Sequence, residues 1–344
     1  MITVKDGTKI RRILVLSDGK PGHFNQSKGV VAALSRRHNI HVEWVDMNIS
    51  TGALASLLTR FKRFLSYSIK PKARWITWIS GVVIPTQKPD LIISAGGATL
   101  PANILLARYF NTPNIFCGTI RNLPEHAFKG ILVPYKQFEN KPPYIVSLKP
   151  CNISPDKKVE PRSKSSVLFL LGGDCNTHRF SKNDWDNLLG LMTEELEKPS
   201  SSSYEIVVCT SRRTPHYASD ALSALSTRHP SLIYHDYRIT GAFNLEEELL
   251  QSSFVVVSED SNSMITEAVC SQKPLFIYQP KERRLPKLEE SYIKNLEDDS
   301  RLMRIASGQN ITLLSLKERT AKLQTMTVNH LDVLAGKILD QIKI

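Results

Sequence analysis

Residues 258–278 read SEDSNSMITEAVCSQKPLFIY. A strand ends at Ser258, a polar Ser/Asn/Asp loop follows, a short helix carries Glu267, and a second strand restarts at Pro274. This layout puts backbone N–H groups, hydroxyls and one carboxylate at the C-terminal edge of a sheet, where open α/β sheets bind ligands. A helix N-terminus attracts phosphate, and a carboxylate one turn later suits a pair of ribose hydroxyls. On that helix Ile265, Ala268 and Val269 form the core-facing stripe. Glu267 lies opposite them, on the face of Ser263, so it is expected to meet either bulk water or a ligand cleft.

The same alternation extends in both directions. Before the midpoint, strands are predicted at 12–16, 41–45, 90–94, 113–116 and 131–133, with helices at 26–37, 52–67 and 100–110. After it, strands are predicted at 167–171, 204–210, 232–235 and 254–258, with helices at 183–198 and 245–251 and a long closing helix over 313–342. Strands alternating with helices imply a parallel sheet covered on both faces. The pattern stops over 148–165, LKPCNISPDKKVEPRSKS, a run rich in Pro, Lys and Ser. The expected architecture is α/β: two Rossmann-like domains, 1–150 and 166–311, facing across a cleft. Residues 151–165 would be the linker, and 312–344 a closing helix crossing back to the first domain.

The chain has 344 residues and a net charge of +12. Its five cysteines form no CxxC pair, which argues for a reducing compartment and against a disulfide or zinc framework. The polar N-terminus shows no signal peptide, and the longest apolar run, 75–84, is about half of the ~20 residues that a spanning helix needs. A soluble or peripheral protein is expected, cytoplasmic and on the inner face of a membrane. The positive charge is uneven. No acidic residue lies between Asp46 and Asp90, where Arg60, Lys62, Arg63, Lys70, Lys72, Arg74 and Lys88 alternate with Phe61, Phe64, Tyr67, Trp75 and Trp78. Such a mixture suits an anionic membrane surface. A solvated basic helix with an aromatic core stripe, or a nucleic-acid backbone, fits less well, because Trp favours the lipid interface.

Other candidate chemistry sits at the ends of predicted strands. Residues 17–27, SDGKPGHFNQS, bring Asp18, Lys20, His23 and Asn25 into one βα loop. There His23 suits a general base, and an exposed histidine beside a turn-capping Asp18 is the plainer alternative. A Walker A loop is excluded, since no GxxxxGK[ST] occurs. Gly96 and Gly97 permit either a tight turn or close approach of a ligand. Gly172 and Gly173, in LGGDCNTHRF, offer amides to a pyrophosphate. Arg212 and Arg213, in TSRRTP, offer forked recognition of phosphate, with either one pointing inward.

Together, SDGKPGHFNQS, LGGDCNTHRF, TSRRTP and the opening stretch resemble, in this order, the mitochondrial-fission Elm-type family, a glycosyltransferase-like family of bacteria and plants. The resemblance runs from about Ile13 to beyond Arg304. It implies GT-B relatives such as the lipid-linked muropeptide N-acetylglucosaminyltransferase. On that reading, the second domain binds a nucleotide-sugar donor through Gly172, Gly173, Arg212, Arg213, Ser261 and Ser263, with Glu267 on the ribose. His23 or Asp18 deprotonates the acceptor, a lipid-linked or lipopolysaccharide-type molecule. Lys20, Asn25, Gly96, Gly97 and Arg121 lie on the acceptor side, and Arg60, Lys62, Arg63, Trp75 and Trp78 meet the membrane. No cofactor or metal is implied, because no DxD sits in a suitable loop and helix dipoles with arginines can neutralise a leaving diphosphate. One departure stands out: VPYKQFE carries Tyr135 and Lys136 where the family pattern has a His-Asp pair. That puts acceptor identity or activity in doubt and leaves a second class open, a non-catalytic GT-B-derived membrane adaptor in envelope or mitochondrial dynamics.

Overall fold

The structure is a computed structural model and describes residues 10–47, 53–198, 204–240 and 243–342, without the side chains of 53–60, 80 and 240. The chain divides into two compact units, 1–152 with 330–344, and 153–329.

In the first unit the elements are β1 (Arg12–Ser17), α1 (Pro21–Ser35), β2 (His41–Asp46), α2 (Ala53–Ser68), α3 (Ala73–Ser80), β3 (Leu91–Ala95), α4 (Leu100–Phe110), β4 (Asn114–Cys117), β5 (Gly130–Val133) and β6 (Tyr144–Val146). The strands form one parallel sheet in the order β2-β1-β3-β4-β5-β6. Alternation along each strand sends Ile13, Val15, Leu91 and Ile93 to one face, and Leu14, Leu16 and Ile92 to the other. Both faces are covered, which explains why these strands read as continuous apolar runs.

The second unit contains β7 (Ser166–Leu170), β8 (His178–Arg179), α5 (Lys182–Leu196), β9 (Glu205–Cys209), α6 (His216–Arg228), β10 (Leu232–His235), α7 (Tyr237–Thr240), α8 (Leu245–Gln251), β11 (Phe254–Ser258), α9 (Asn262–Cys270), β12 (Leu275–Gln279), β13 (Glu282–Arg283), α10 (Lys287–Asp298), β14 (Met303–Ala306) and α11 (Leu313–Thr320). Its sheet is parallel, in the order β10-β9-β7-β11-β12-β14, and the short strands β8 and β13 pair separately and antiparallel. Phe169, Phe254, Phe276 and Trp185 anchor the core on one face of this sheet, and Leu168, Val255 and Ile277 are buried on the other. Strand order reverses between β1 and β3 in the first sheet, and between β7 and β11 in the second. Ligand crevices open at such switch points, beyond the carboxyl ends of the strands.

Three expectations change. Helix α1 begins at Pro21, five residues early, because proline is preset for the first helical position. His23 and Asn25 therefore lie on its first turns and not in a loop. The long closing helix is two: α11 ends at Thr320, and a separate helix, α12 (His330–Ile342), follows. The β-branched residues Thr325, Thr327 and Val328 between them disfavour helix. Helix α12 packs on α1, β5 and β6 of the first unit, and Arg36 grips Asp332 with two bonds of 2.9 Å. Helices α3, α7 and α10 and strands β6, β8, β13 and β14 went unread.

A buried amide ties the first sheet to its helix. Asn103 on α4 donates to Ser94 Oγ (2.9 Å) and the Ile115 carbonyl (3.1 Å), and accepts from Asn114 (2.7 Å). Asn103→Leu removes a bond from each of the three partners and is expected to cost about 2–3 kcal/mol, read as a lower urea midpoint at unchanged m-value.

Candidate functional site

At the second switch point the end of β11 grips the turn after β7. Ser258 Oγ accepts the Gly172 N–H at 2.7 Å, and Asp260 Oδ2 accepts the Gly173 N–H at 3.1 Å. The same Asp260 oxygen takes Arg213 Nε (3.1 Å) and Nη2 (2.5 Å). The Asp260 side chain is 0 % exposed. The amides of Gly172 and Gly173 and the Arg213 guanidinium, all expected on a donor phosphate, are thus directed to the protein's own side chains. Both glycines are obligatory. A Cβ at Gly172 would lie 2.0 Å from Asp260 Oδ2, and one at Gly173, where φ is +152°, would lie 2.1 Å from the Arg213 carbonyl.

One residue earlier, Glu259 is almost fully buried and meets His178 Nε2 (3.1 Å), Gln279 Nε2 (2.7 Å) and Arg283 in a forked pair (2.5 and 2.9 Å). Burial pushes its carboxyl upward, but the bonds from His178, Arg283 and Gln279 outweigh burial and hold it below the usual 4.5. Ser258, Glu259 and Asp260 were not singled out from the sequence beyond their place in the quoted stretch. Their signal was adjacency to a strand end.

The remaining donor-side candidates differ in exposure. Arg212 is exposed. Ser261 occupies the N-cap of α9 without bonding the first turn, and Ser263 is exposed on that turn. Glu267 is buried, 5 % exposed, which runs against the expectation that it faces bulk water or an open cleft, because other parts of the chain cover the polar face of α9 at this position.

At the first switch point, Asp18 follows β1 and Gly96 follows β3. Asp18 Oδ2 meets His23 Nδ1 at 2.8 Å, with Asp18 1 % and His23 33 % exposed in their side chains. Burial raises the Asp18 carboxyl, but the bonds to His23 and to the Lys20 N–H prevail and lower it. Asp18 is therefore the ionised, orienting partner, and His23 presents its outer edge. Gly96 (φ +87°) makes room for the pair, since a Cβ there would stand 2.2 Å from His23 Nδ1. A Cβ at Gly97 would stand an ordinary 3.5 Å from Arg121 Nε. Arg121 and Asn122 both take left-handed backbone angles (φ +54° and +64°), a strain that clusters at functional turns. That turn lines a cavity of about 1000 Å³, together with Arg63, Phe64, Tyr67, Phe138 and Tyr144. Lys20 is exposed and Asn25 half-buried on the same βα segment. Tyr135, in place of the family's histidine, is buried, and Lys136 is exposed.

On α2 and α3 the aromatic residues face outward: Phe64 is 66 % exposed, Trp78 57 %, Phe61 53 % and Trp75 37 %. Lys62 and Arg63 are half-buried, and the side chain of Arg60 lies outside the described residues. An aromatic core stripe is therefore excluded for these residues.

This arrangement of two parallel α/β sheets, each with its polar residues at a switch point, defines the GT-B fold. A glycosyltransferase of kitacinnamycin matches over 97 % of this chain and 96 % of its own, at 11 % identity and a TM-score of 0.54. The calicheamicin glycosyltransferase CalG4 matches over 97 % and 95 % (13 %, 0.52), and Acinetobacter baumannii MurG over 96 % and 99 % (13 %, 0.51). The sequence pattern of the family described as Mitochondrial fission ELM1 matches residues 21–342, and the chain belongs to that family. A relative from Rickettsia prowazekii (strain Madrid E), the uncharacterized protein RP120, is 23 % identical over 78 % of this chain and 83 % of its own length.

Two predictions follow from this geometry. Gly96→Ala must displace the Asp18–His23 pair and adopt a left-handed backbone, so it is expected to cost about 2–3 kcal/mol, while the adjacent Gly97→Ala stays within about 1 kcal/mol; urea unfolding of both variants compares them. The Glu259–His178 pair sets a pH window. The depressed carboxyl of Glu259 stabilises fully above 4.5, and this contribution is lost as pH falls. His178 is lowered by burial but raised more by Glu259 and Cys175; its contribution is complete below 6.5 and is lost as pH rises through the higher folded value. Melting temperature is expected to peak between pH 4.5 and 6.5, and Glu259→Gln is expected to flatten both limbs.

Proposed function

We propose that the chain is a metal-independent glycosyltransferase that moves a sugar from a nucleotide-sugar donor to a lipid-linked or lipopolysaccharide-type acceptor at the cytoplasmic surface of a membrane. The observation that carries this reading is the Asp18–His23 pair at a sheet switch point, seated on Gly96 and neighbouring the Arg121-lined cavity. Asp18 would hold the Nδ1–H of His23, leaving Nε2 to take the proton of an acceptor hydroxyl as that oxygen attacks the anomeric carbon. The cavity suits an acceptor with an anionic group and an apolar portion, because arginines and aromatic rings share its wall.

On the donor side, the uncapped first turn of α9 and Arg212 would neutralise the departing diphosphate, with the helix dipole supplying charge that a metal would otherwise bring. Glu267 is proposed to take the ribose. The outward aromatics of α2 and α3, in a stretch without acidic residues, would rest on anionic lipid. Among the described residues, no helix is long and apolar enough to cross a membrane.

A second reading has its own support. Because Gly172, Gly173 and Arg213 are engaged by Ser258 and Asp260, a non-catalytic adaptor that keeps only the membrane surface also fits. Thermal shifts with a panel of nucleoside diphosphates and sugar nucleotides separate the two. The enzyme reading expects stabilisation by at least one nucleotide, lost in Glu267→Ala and retained in His23→Ala, which loses turnover. No shift with any nucleotide, alongside co-sedimentation with anionic vesicles, would leave the adaptor.

A further inference from the structure

The turn after β7 carries a second constellation that sugar transfer does not use. Cys175 is the one partly exposed cysteine among the described residues; Cys117, Cys151, Cys209 and Cys270 are buried. Its Sγ lies 3.2 Å from Thr177 Oγ1 and 3.7 Å from His178 Nδ1. His178 is 2 % exposed, and its other nitrogen, Nε2, is fixed on Glu259 Oε2 at 3.1 Å. Glu259 is in turn locked by Arg283 and Gln279. His178 Nδ1 also meets Thr177 Oγ1 at 2.9 Å, so a nucleophile, a threonine hydroxyl, a histidine and a buried carboxylate form one connected chain, as in sites that activate a thiol.

We propose that Cys175 is a modification site, a nucleophilic thiol that hydroperoxides oxidise, built from Cys175, His178 and Glu259 as nucleophile, proton partner and orienting carboxylate. The thiolate is the reactive form, and the surroundings favour it. Burial raises the Cys175 thiol, but the bonds with Thr177 and His178 more than offset this and bring it below the ordinary 9.0. The charged groups on the adjoining segments are Asp174 on the turn itself, Arg179 on β8, Glu259 after β11, and Glu282, Arg283 and Arg284 at β13. Among them, Arg283 is tied to Glu259 and Arg179 to Asp174 (3.1 Å), and Arg284 adjoins through its backbone N–H on the Thr177 carbonyl (2.7 Å); His178, whose protonated form Glu259 and Cys175 favour, meets the sulfur directly.

The step balances. A sulfur lone pair attacks one peroxide oxygen, the S–O bond forms as the O–O bond breaks, and sulfur is oxidised to the sulfenic acid. The departing hydroxide takes the His178 proton and leaves as water. The buried cysteines lack exposure: Cys117 is pushed up to about 12 by burial, Cys209 also rises, and Cys151, although it meets His330 Nε2 at 3.6 Å, is 2 % exposed.

The full-length chain treated with hydrogen peroxide and dimedone, then mapped by mass spectrometry, tests the site. Cys175 is expected to be labelled at least about tenfold faster than any other cysteine, and Glu259→Gln to slow it about tenfold at unchanged circular dichroism. Equal labelling of all five cysteines, or an unchanged rate in folded Glu259→Gln, overturns the proposal. Should that variant not fold, the wild-type alkylation rate with iodoacetamide against pH decides. A plateau reached below 9.0 supports the site, and a rate still climbing through that pH like an ordinary thiol refutes it.

Discussion

The Asp260 carboxylate, buried and shared between the Gly173 amide and the Arg213 guanidinium, sets the shape of the second switch point. An ionised carboxylate out of water is costly unless several donors meet it. Here the donors come from two different βα turns, those after β7 and β9, and all meet Oδ2, while Oδ1 is buried without a hydrogen-bond partner, so one carboxylate oxygen ties two segments. Glu259 repeats the device one residue earlier, against His178 and Arg283. Because neighbouring side chains diverge, two adjacent acids reach two different sets of partners. A glycine turn of the kind that cradles phosphate is thereby closed on an internal anion, and a ligand is left with the open first turn of α9 and Arg212.

The first unit solves the same geometric problem differently. Its switch point also depends on a glycine that admits a side chain, but Gly96 admits the Asp18–His23 pair and not a lone carboxylate. His23 stays partly exposed, so the polar group at this edge is available for chemistry. Both units thus spend a missing Cβ at the carboxyl ends of parallel strands. One glycine admits a hydrogen-bonded Asp–His pair, and the other completes a scaffold.

Much of this was legible in the sequence. Strands buried on both faces must read as continuous apolar runs, and β10, α8 and β11 fall where that pattern and its bounding turns put them. The crowded loop 17–27 and the stretch 258–278 stood out because reactive residue types collect where backbone amides are open. What escaped has physical causes. A glycine-rich turn announces free N–H groups but not their partner, so the grip of Ser258 and Asp260 on Gly172 and Gly173 was hidden. A helical wheel separates apolar from polar faces, yet a polar face can be covered by other chain, as at Glu267. Short strands such as β6 carry too weak an apolar period to be read, whereas helix α10, in which Leu288, Tyr292, Ile293 and Leu296 recur at helical spacing, was legible and went unread. The outward aromatics of α2 and α3 could be told from a core stripe only once their neighbours were in place.

A crystal structure with a bound sugar nucleotide tests the central claim most directly. The account predicts the diphosphate at the first turn of α9 beside Arg212, the ribose on Glu267, and the Asp260 bond to Gly173 intact. A diphosphate seated on the Gly172 and Gly173 amides with Asp260 displaced would contradict it, as would a nucleotide bound away from this edge of the sheet.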